Sequence, residues 1–206
     1  MSVGQTVSEY ERIYERVGEL AEEVGNGMPG PSAMRDLAVR WLDAWNNHDV
    51  DTMVACTTED IVMDDPTALG LVARGQDEFR SFCGDFIESF PDIHFEIPNR
   101  PCIGVDEPRM AVQWRMSGTF MRDFTAPAAT VPLAATGRSF AIDGLDLYEF
   151  RGDQICSWRL YYDAYAMSVQ LGLAPPLDGR LMRMLAPTQR MRAALMRRRA
   201  RRQRAQ

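Results

Sequence analysis

Asp146 is the carboxylate of this sequence best placed to do chemistry. If residues 138–150 form a strand, alternation puts Phe140, Ile142, Gly144, Asp146, Tyr148 and Phe150 on one face. A carboxylate among large apolar rings loses hydration, which raises its pKa and makes it a stronger base toward a carbon acid. Tyr148, two residues on and about 7 Å away along a strand, can touch the same flat ligand. The pair suits proton transfer at a carbon next to a carbonyl. Asp146 would act as the base, and Tyr148, Tyr14, Tyr162 or Arg115 would steady the developing oxyanion. The alternatives are an Asp146 ion-paired with Arg115 or Arg159, and tyrosines buried with locally satisfied hydroxyls.

Alternation on the neighbouring runs extends this wall. Residues 154–163 put Cys156, Trp158, Leu160 and Tyr162 on one face, and the matching face of residues 109–121 would carry Gln113, Arg115 and Ser117. With Trp45 and Phe140 these give the candidate ligand contacts Trp45, Gln113, Ser117, Phe140, Trp158, Leu160 and Tyr162, and aromatic walls suit a flat polycyclic guest. His48 is expected to cap a helix or face solvent. His94 is expected either at the pocket mouth or in a structural role. Asp64 and Asp65 precede Pro66 at a strand end, where one of them could face a cavity or both could serve the turn.

The elements that must hold these residues follow from periodicity. Residues 6–24 repeat apolar positions at helical spacing, and 25–32 break the pattern with glycines and prolines. A second helix runs over 33–46 and stops at Asn46-Asn47-His48-Asp49; a short third covers 50–56, and another period-3.6 segment covers 78–90. Strands are expected at 60–66, 93–97, 109–121, 138–150 and 154–162, with Arg151-Gly152-Asp153 as a hairpin turn. Residues 122–137 form a long connection of the kind that is often a functional lid or a disordered insertion. Helices first and antiparallel strands after point to an α+β chain.

Composition narrows the options. The 206 residues, 46% hydrophobic and 25% charged, suit one domain plus extensions, and no apolar run reaches membrane-spanning length. A polar, acidic start shows no signal-peptide pattern, so a soluble, cytoplasmic protein is expected. Cys56, Cys83, Cys102 and Cys156 are scattered and away from both histidines, which implies reduced, mostly buried thiols and no metal site. Ten arginines and no acid fall within residues 180–206; taking that +10 from the net −6 leaves −16 on the rest. No nucleic-acid partner is therefore expected for the body, while the Arg-rich tail could contact an anionic surface.

Three motifs carry a family resemblance. They are Trp41-Leu42-Asp43-Ala44-Trp45-Asn46-Asn47-His48-Asp49 leading to Asp60, Arg74-Gly75-Gln76-Asp77-Glu78-Phe79, and Thr136-Gly137-Arg138 leading through Gly144-Leu145-Asp146 to Trp158-Arg159-Leu160-Tyr161-Tyr162-Asp163. In this order they resemble the SnoaL-like, polyketide cyclase-like branch of the nuclear transport factor 2-like superfamily, over about 140 residues. The resemblance implies a cone-shaped curved antiparallel sheet with three helices on its concave side. With the helix and linker read from the residues, the chain divides into an N-terminal helical extension at 1–32, the domain at 33–173, and a linker and Arg-rich tail at 174–206; the resemblance implies a homodimer formed through the sheets. In SnoaL-like cyclases an aspartate in this part of the sheet is the acid/base group, which carries over to Asp146 in Gly144-x-Asp146. The implied activity is that of a cofactor-independent cyclase or isomerase on a hydrophobic polycyclic or polyketide-like ligand. A non-catalytic binding or assembly module is the alternative. Limonene-type epoxide hydrolases need two further carboxylates where this chain has Ser117 and Leu160, so that activity is disfavoured. A dehydratase would want His94 against Asp146 or Asp64.

Overall fold

The computed structural model describes residues 3–67, 70–125 and 132–203. Helix α1 (Val3–Val24) buries Tyr14, Val17 and Ala21 on one face. Helix α2 (Pro31–Asn47) runs back along it, with the Tyr10 hydroxyl donating to Ala38 O at 3.3 Å. The two backbones nearly touch: a Cβ on Gly18 would lie 2.5 Å from Pro31 Cα, so only glycine permits this approach. The N-terminal segment thus belongs to the packed body. His48 ends α2 with φ 60°, and its Nε2 lies 3.1 Å from Ile93 O. Asp49 caps α3 (Val50–Ala55) by accepting from Thr52 N.

Strands β1 (Thr57–Asp65) and β2 (Leu71–Arg74) precede helix α4 (Gly75–Ser89). Then come β3 (His94–Glu96), β4 (Cys102–Ile103), β5 (Arg109–Thr119), β6 (Ser139–Arg151) and β7 (Gln154–Tyr162). They build one curved, unclosed sheet of seven strands in the order β2-β1-β7-β6-β5-β3, with β4 also beside β5. The α+β class and the curved sheet agree with the expectation. The sheet is not wholly antiparallel, however, because β1 runs parallel to β7. Helices α1 to α4 bury one face of the sheet in a large apolar cluster around Trp45 and Trp158. A smaller cluster around Phe90, Phe120 and Phe140 closes one end.

Strands β2 and β4 and helix α5 (Ala164–Gln170) were not expected, being too short for periodicity to reveal. Helix α6 (Arg180–Gln203) starts in the expected linker and takes in Pro187. One proline forfeits one hydrogen bond of a helix, and its Arg-, Met- and Ala-rich flanks favour helix. Cys102 is exposed rather than buried, because it faces outward on the two-residue strand β4. In the long connection Phe124 bridges Leu133; residues 126–131 lie outside the described residues. No helix among the described residues is long and apolar enough to cross a membrane.

Candidate active site

Strand register decides which side chains meet. Asp146 lies opposite Val112 on β5 and Leu160 on β7; Gly144 lies opposite Trp114 and Tyr162; Tyr148 lies opposite Met110 and Trp158. Directly opposed residues share a face. The inner face of β5 is therefore Met110, Val112, Trp114 and Met116, all buried. The expectation for Gln113, Arg115 and Ser117 is corrected here: they occupy the outer face. Arg115, 57% exposed, donates from Nε to Asp143 at 2.8 Å, and Gln113 Oε1 accepts from Asn99 Nδ2 at 2.7 Å. A one-residue slip reverses every side chain of a strand, and the alternation Met110-Val112-Trp114-Met116 was the signal that marked the inner face.

Among the described residues Asp146 has no arginine partner. Arg115 is held by Asp143, and Arg159 donates to Asp64 at 3.0 Å, both on the outer face. Asp146 is 4% exposed, and its Oδ2 accepts a 2.6 Å hydrogen bond from the Tyr148 hydroxyl. That hydroxyl in turn accepts from Trp41 Nε1 at 3.0 Å. The indole N–H groups of Trp114 and Trp158 are further hydrogen-bond donors to the carboxylate and favour its charged form. Burial outweighs these donors and the pKa is pushed up to about 7, with the Asp65 charge adding to the rise. Burial likewise raises the Tyr148 phenol, and lifts Tyr14 to about 12.

Asp146 opens on a cavity of about 480 Å³, a size suited to a small-molecule ligand. Trp45, Trp158, Leu160 and Tyr162 line it. Phe140 does not reach it; the ring is packed edge-on to Phe90 at 5.5 Å in the end cluster. Trp45, Phe95, Trp114, Trp158 and Asp146 also bound a second space of about 50 Å³ beneath α1, lined by Tyr14 and Tyr148 and too small for more than water.

The large cavity holds a second carboxylate. Asp65, at the end of β1, is 4% exposed; its Oδ1 accepts from Thr67 N and Oγ1, and its Oδ2 from the Tyr162 hydroxyl at 3.0 Å. Of the two aspartates before Pro66, Asp65 faces inward and Asp64 outward. His94 is exposed on β3 beside Ser117, away from Asp146 and Asp64, so the dehydratase pair does not form. Among the described residues no three His, Cys, Asp or Glu side chains converge as a metal site needs.

Residues 38–158 match the SnoaL-like domain model, more than half of the chain. The chain belongs to the SnoaL-like domain family. This SnoaL-like domain has the fold of a candidate SnoaL-like polyketide cyclase from Jannaschia sp. CCS1, at 18% identity and TM-score 0.56, covering 68% of this chain and 92% of that one. A candidate polyketide cyclase from Xanthomonas campestris pv. campestris is similar at 20% identity and TM-score 0.56, over 68% of this chain and 97% of that one. A protein of ketosteroid isomerase-like fold from Catenulispora acidiphila DSM 44928, in complex with trimethylamine, matches at 18% identity and TM-score 0.52, over 69% and 95%. No curated protein matches the sequence significantly.

Proposed function

We propose that this SnoaL-like domain moves a proton at a carbon beside a carbonyl of a hydrophobic, ring-containing ligand, as a cofactor-independent cyclase or isomerase. The observation that carries the reading is one apolar cavity holding two buried carboxylates, Asp146 and Asp65. Leu160 faces Asp146, and β1 runs beside β7 with Met63 opposite Trp158, so the two aspartates lie two strands, about 10 Å, apart. Enolisation takes a proton from carbon and supplies hydrogen bonding or a proton to oxygen. Asp146, with its pKa near neutrality, can carry the proton that oxygen needs. Asp65, already an acceptor from Thr67 and Tyr162, serves as the base at carbon. This division replaces the expectation of Asp146 as the carbon base, and pairs of acids in different environments commonly divide work in this way. Polyketide-like substrates fit, since they are rich in enolisable carbonyls; the cyclase descriptions of the solved neighbours agree with that class.

The test is hydrogen–deuterium exchange at the α-carbon of 2-tetralone, a bicyclic ketone, followed by NMR in heavy water. The wild-type chain should accelerate exchange, and Asp146→Asn and Asp65→Asn should each lower the rate about 100-fold. Unchanged exchange in Asp146→Asn would remove that residue from the chemistry. Saturable binding with no exchange would leave a ligand-binding module.

A further inference from the structure

The large cavity carries charge of one sign. Asp65 and Asp146 stand on its wall, and among the described residues no arginine, lysine or histidine lines it. Residues 68–69 and 126–131 bring no charge either, being alanine, leucine, proline, threonine and valine. The arginines of the neighbouring strands are engaged elsewhere: Arg115 pairs with Asp143 and Arg159 with Asp64 on the outer face. Arg138 is exposed and packs over Gly172, where an added Cβ would meet its Nη1 at 3.1 Å, and it is not part of the lining.

Much of the remaining wall is aromatic, with Trp45, Phe86, Phe95 and Trp158 on it. Tyr162 and Trp114 connect the two acids. The Tyr162 hydroxyl donates to Asp65 Oδ2 at 3.0 Å, and its ring centroid lies 6.1 Å from that of Trp114. Both residues oppose Gly144, two positions from Asp146 on β6.

These surroundings treat ligand charge unequally. A ligand carboxylate or phosphate would leave water for apolar rings, meet no cation, and face groups of its own sign. A ligand ammonium is drawn to the negative faces of aromatic rings, most strongly where water is excluded, and to the carboxylates beside them. Charge balance points the same way. In the proposed proton transfer Asp146 gives its proton to oxygen as Asp65 takes one from carbon. One acid is ionised before the step and the other after it, so one negative charge stays in the cavity throughout. A buried charge without an opposite charge is costly, and the lining supplies none.

We infer, on the proposed function's reading of this cavity as the site of proton transfer, that its ligand is a hydrophobic ring ketone bearing a basic amine, whose ammonium group sits by Trp114 and Tyr162 between the two acids. The cation makes the occupied cavity neutral before and after the step. It also offsets the negative charge that grows on oxygen as the carbon proton leaves. Ring ligands bearing a carboxylate or phosphate are excluded.

The charge selection is tested by binding alone. The probes 2-naphthylmethylamine, 2-naphthylmethanol and 2-naphthoate share one ring system and differ in charge. Calorimetric titration of the full chain at pH 7 should rank them amine, alcohol, acid, with about tenfold in affinity at each step. The acidic surface of the body also attracts cations, so the amine titration is repeated in about 0.5 M salt and against saturating alcohol. An amine held in the cavity keeps its advantage in salt and is displaced by the alcohol. Asp65→Asn should cut the amine's advantage over the alcohol at least about threefold; if that variant does not fold, the wild-type ranking decides. An amine that binds no tighter than the alcohol, or is not displaced by it, would overturn the inference while leaving the exchange of 2-tetralone standing. So would an acid that binds as well as the alcohol, or an unchanged amine advantage in folded Asp65→Asn. Binding of none of the three would overturn the cavity as a ligand site, and the proposed function with it.

Discussion

Tyr148 donates its phenolic hydrogen to Asp146 Oδ2 over 2.6 Å, from a position two residues along the same strand. The hydroxyl also takes the Trp41 N–H, so an indole–phenol–carboxylate chain ties α2 to β6. That chain occupies Oδ2 of Asp146, and the indoles of Trp114 and Trp158 are the carboxylate's other donors. The carboxylate is thereby oriented while its basicity stays high, because burial dominates over the hydrogen bond.

Replacing Tyr148 by Phe removes a donor that favours the charged carboxylate. The Asp146 pKa should therefore rise above its value of about 7, and the pH profile of ketone exchange should move upward with it. Carboxyl carbon NMR of Asp146 checks the sign directly. Stability should fall by about 1–3 kcal/mol, since Asp146 Oδ2 and Trp41 Nε1 are left unpaired.

Asp146 also predicts a pH dependence of folding. Its pKa in the folded chain, about 7, lies above the ordinary 3.8, so the folded state holds the proton more tightly than the unfolded state. Its contribution is fully present below pH 3.8, is lost as pH rises toward 7, and is absent above that. Asp146→Asn cannot ionise. It should be more stable than wild type at pH 8 by on the order of a few kcal/mol, a gap that narrows toward pH 4. Paired thermal melts across that range decide it; a gap independent of pH would contradict the shift.

The residues that made Asp146 conspicuous were its own strand neighbours, and their alternation survived folding intact. What failed was transfer of that alternation to β5. Periodicity within a strand does not state which parity faces in, and the choice of Gln113, Arg115 and Ser117 ignored the run Met110-Val112-Trp114-Met116. Asp65 was legible only as a strand-end residue; its inward turn depends on Thr67 and Tyr162, which no local pattern connects to it. The parallel pairing of β1 with β7 joins segments about 95 residues apart, as in Asp64 with Arg159, beyond any local signal. Trp114 and Trp158 were visible as aromatic residues, but their nitrogen atoms acquire meaning only from the register across Gly144 and Tyr148.

Gly144→Ala should displace Trp114, because the new methyl would come 2.2 Å from the indole carbons. The expected result is a stability loss of about 1–3 kcal/mol together with slower ketone exchange, since the wall beside Asp146 shifts. Gly84→Ala is the contrast: it lies in α4 with nothing within 4 Å of the added carbon, and should stabilise by about 1 kcal/mol. Chemical denaturation of both variants separates a packing effect from a general intolerance of alanine.

Arg115→Ala should leave ketone exchange unchanged. The guanidinium pairs with Asp143 on the exposed outer face, and its charge is separated from the cavity by the sheet. A substantial fall in exchange rate, with Asp143→Asn harmless, would restore Arg115 to the chemistry.

Helix α6 should be dispensable for the fold and decisive for contact with anionic surfaces. None of its described side chains is buried, and Met184, Met191 and Met196 are 75%, 62% and 56% exposed between the arginines. A cationic helix with exposed apolar side chains suits the interface of an anionic bilayer. Ending the chain at Gly179 removes ten arginines and leaves a net charge of −16. The truncated protein should melt within about 2 °C of the full chain, since little buried surface is lost. It should also lose co-sedimentation with vesicles containing phosphatidylglycerol, while the full chain binds them in low salt and releases as salt screens the charge. A truncated chain that still sediments would move the contact to the body, and a full chain that never binds would dismiss it.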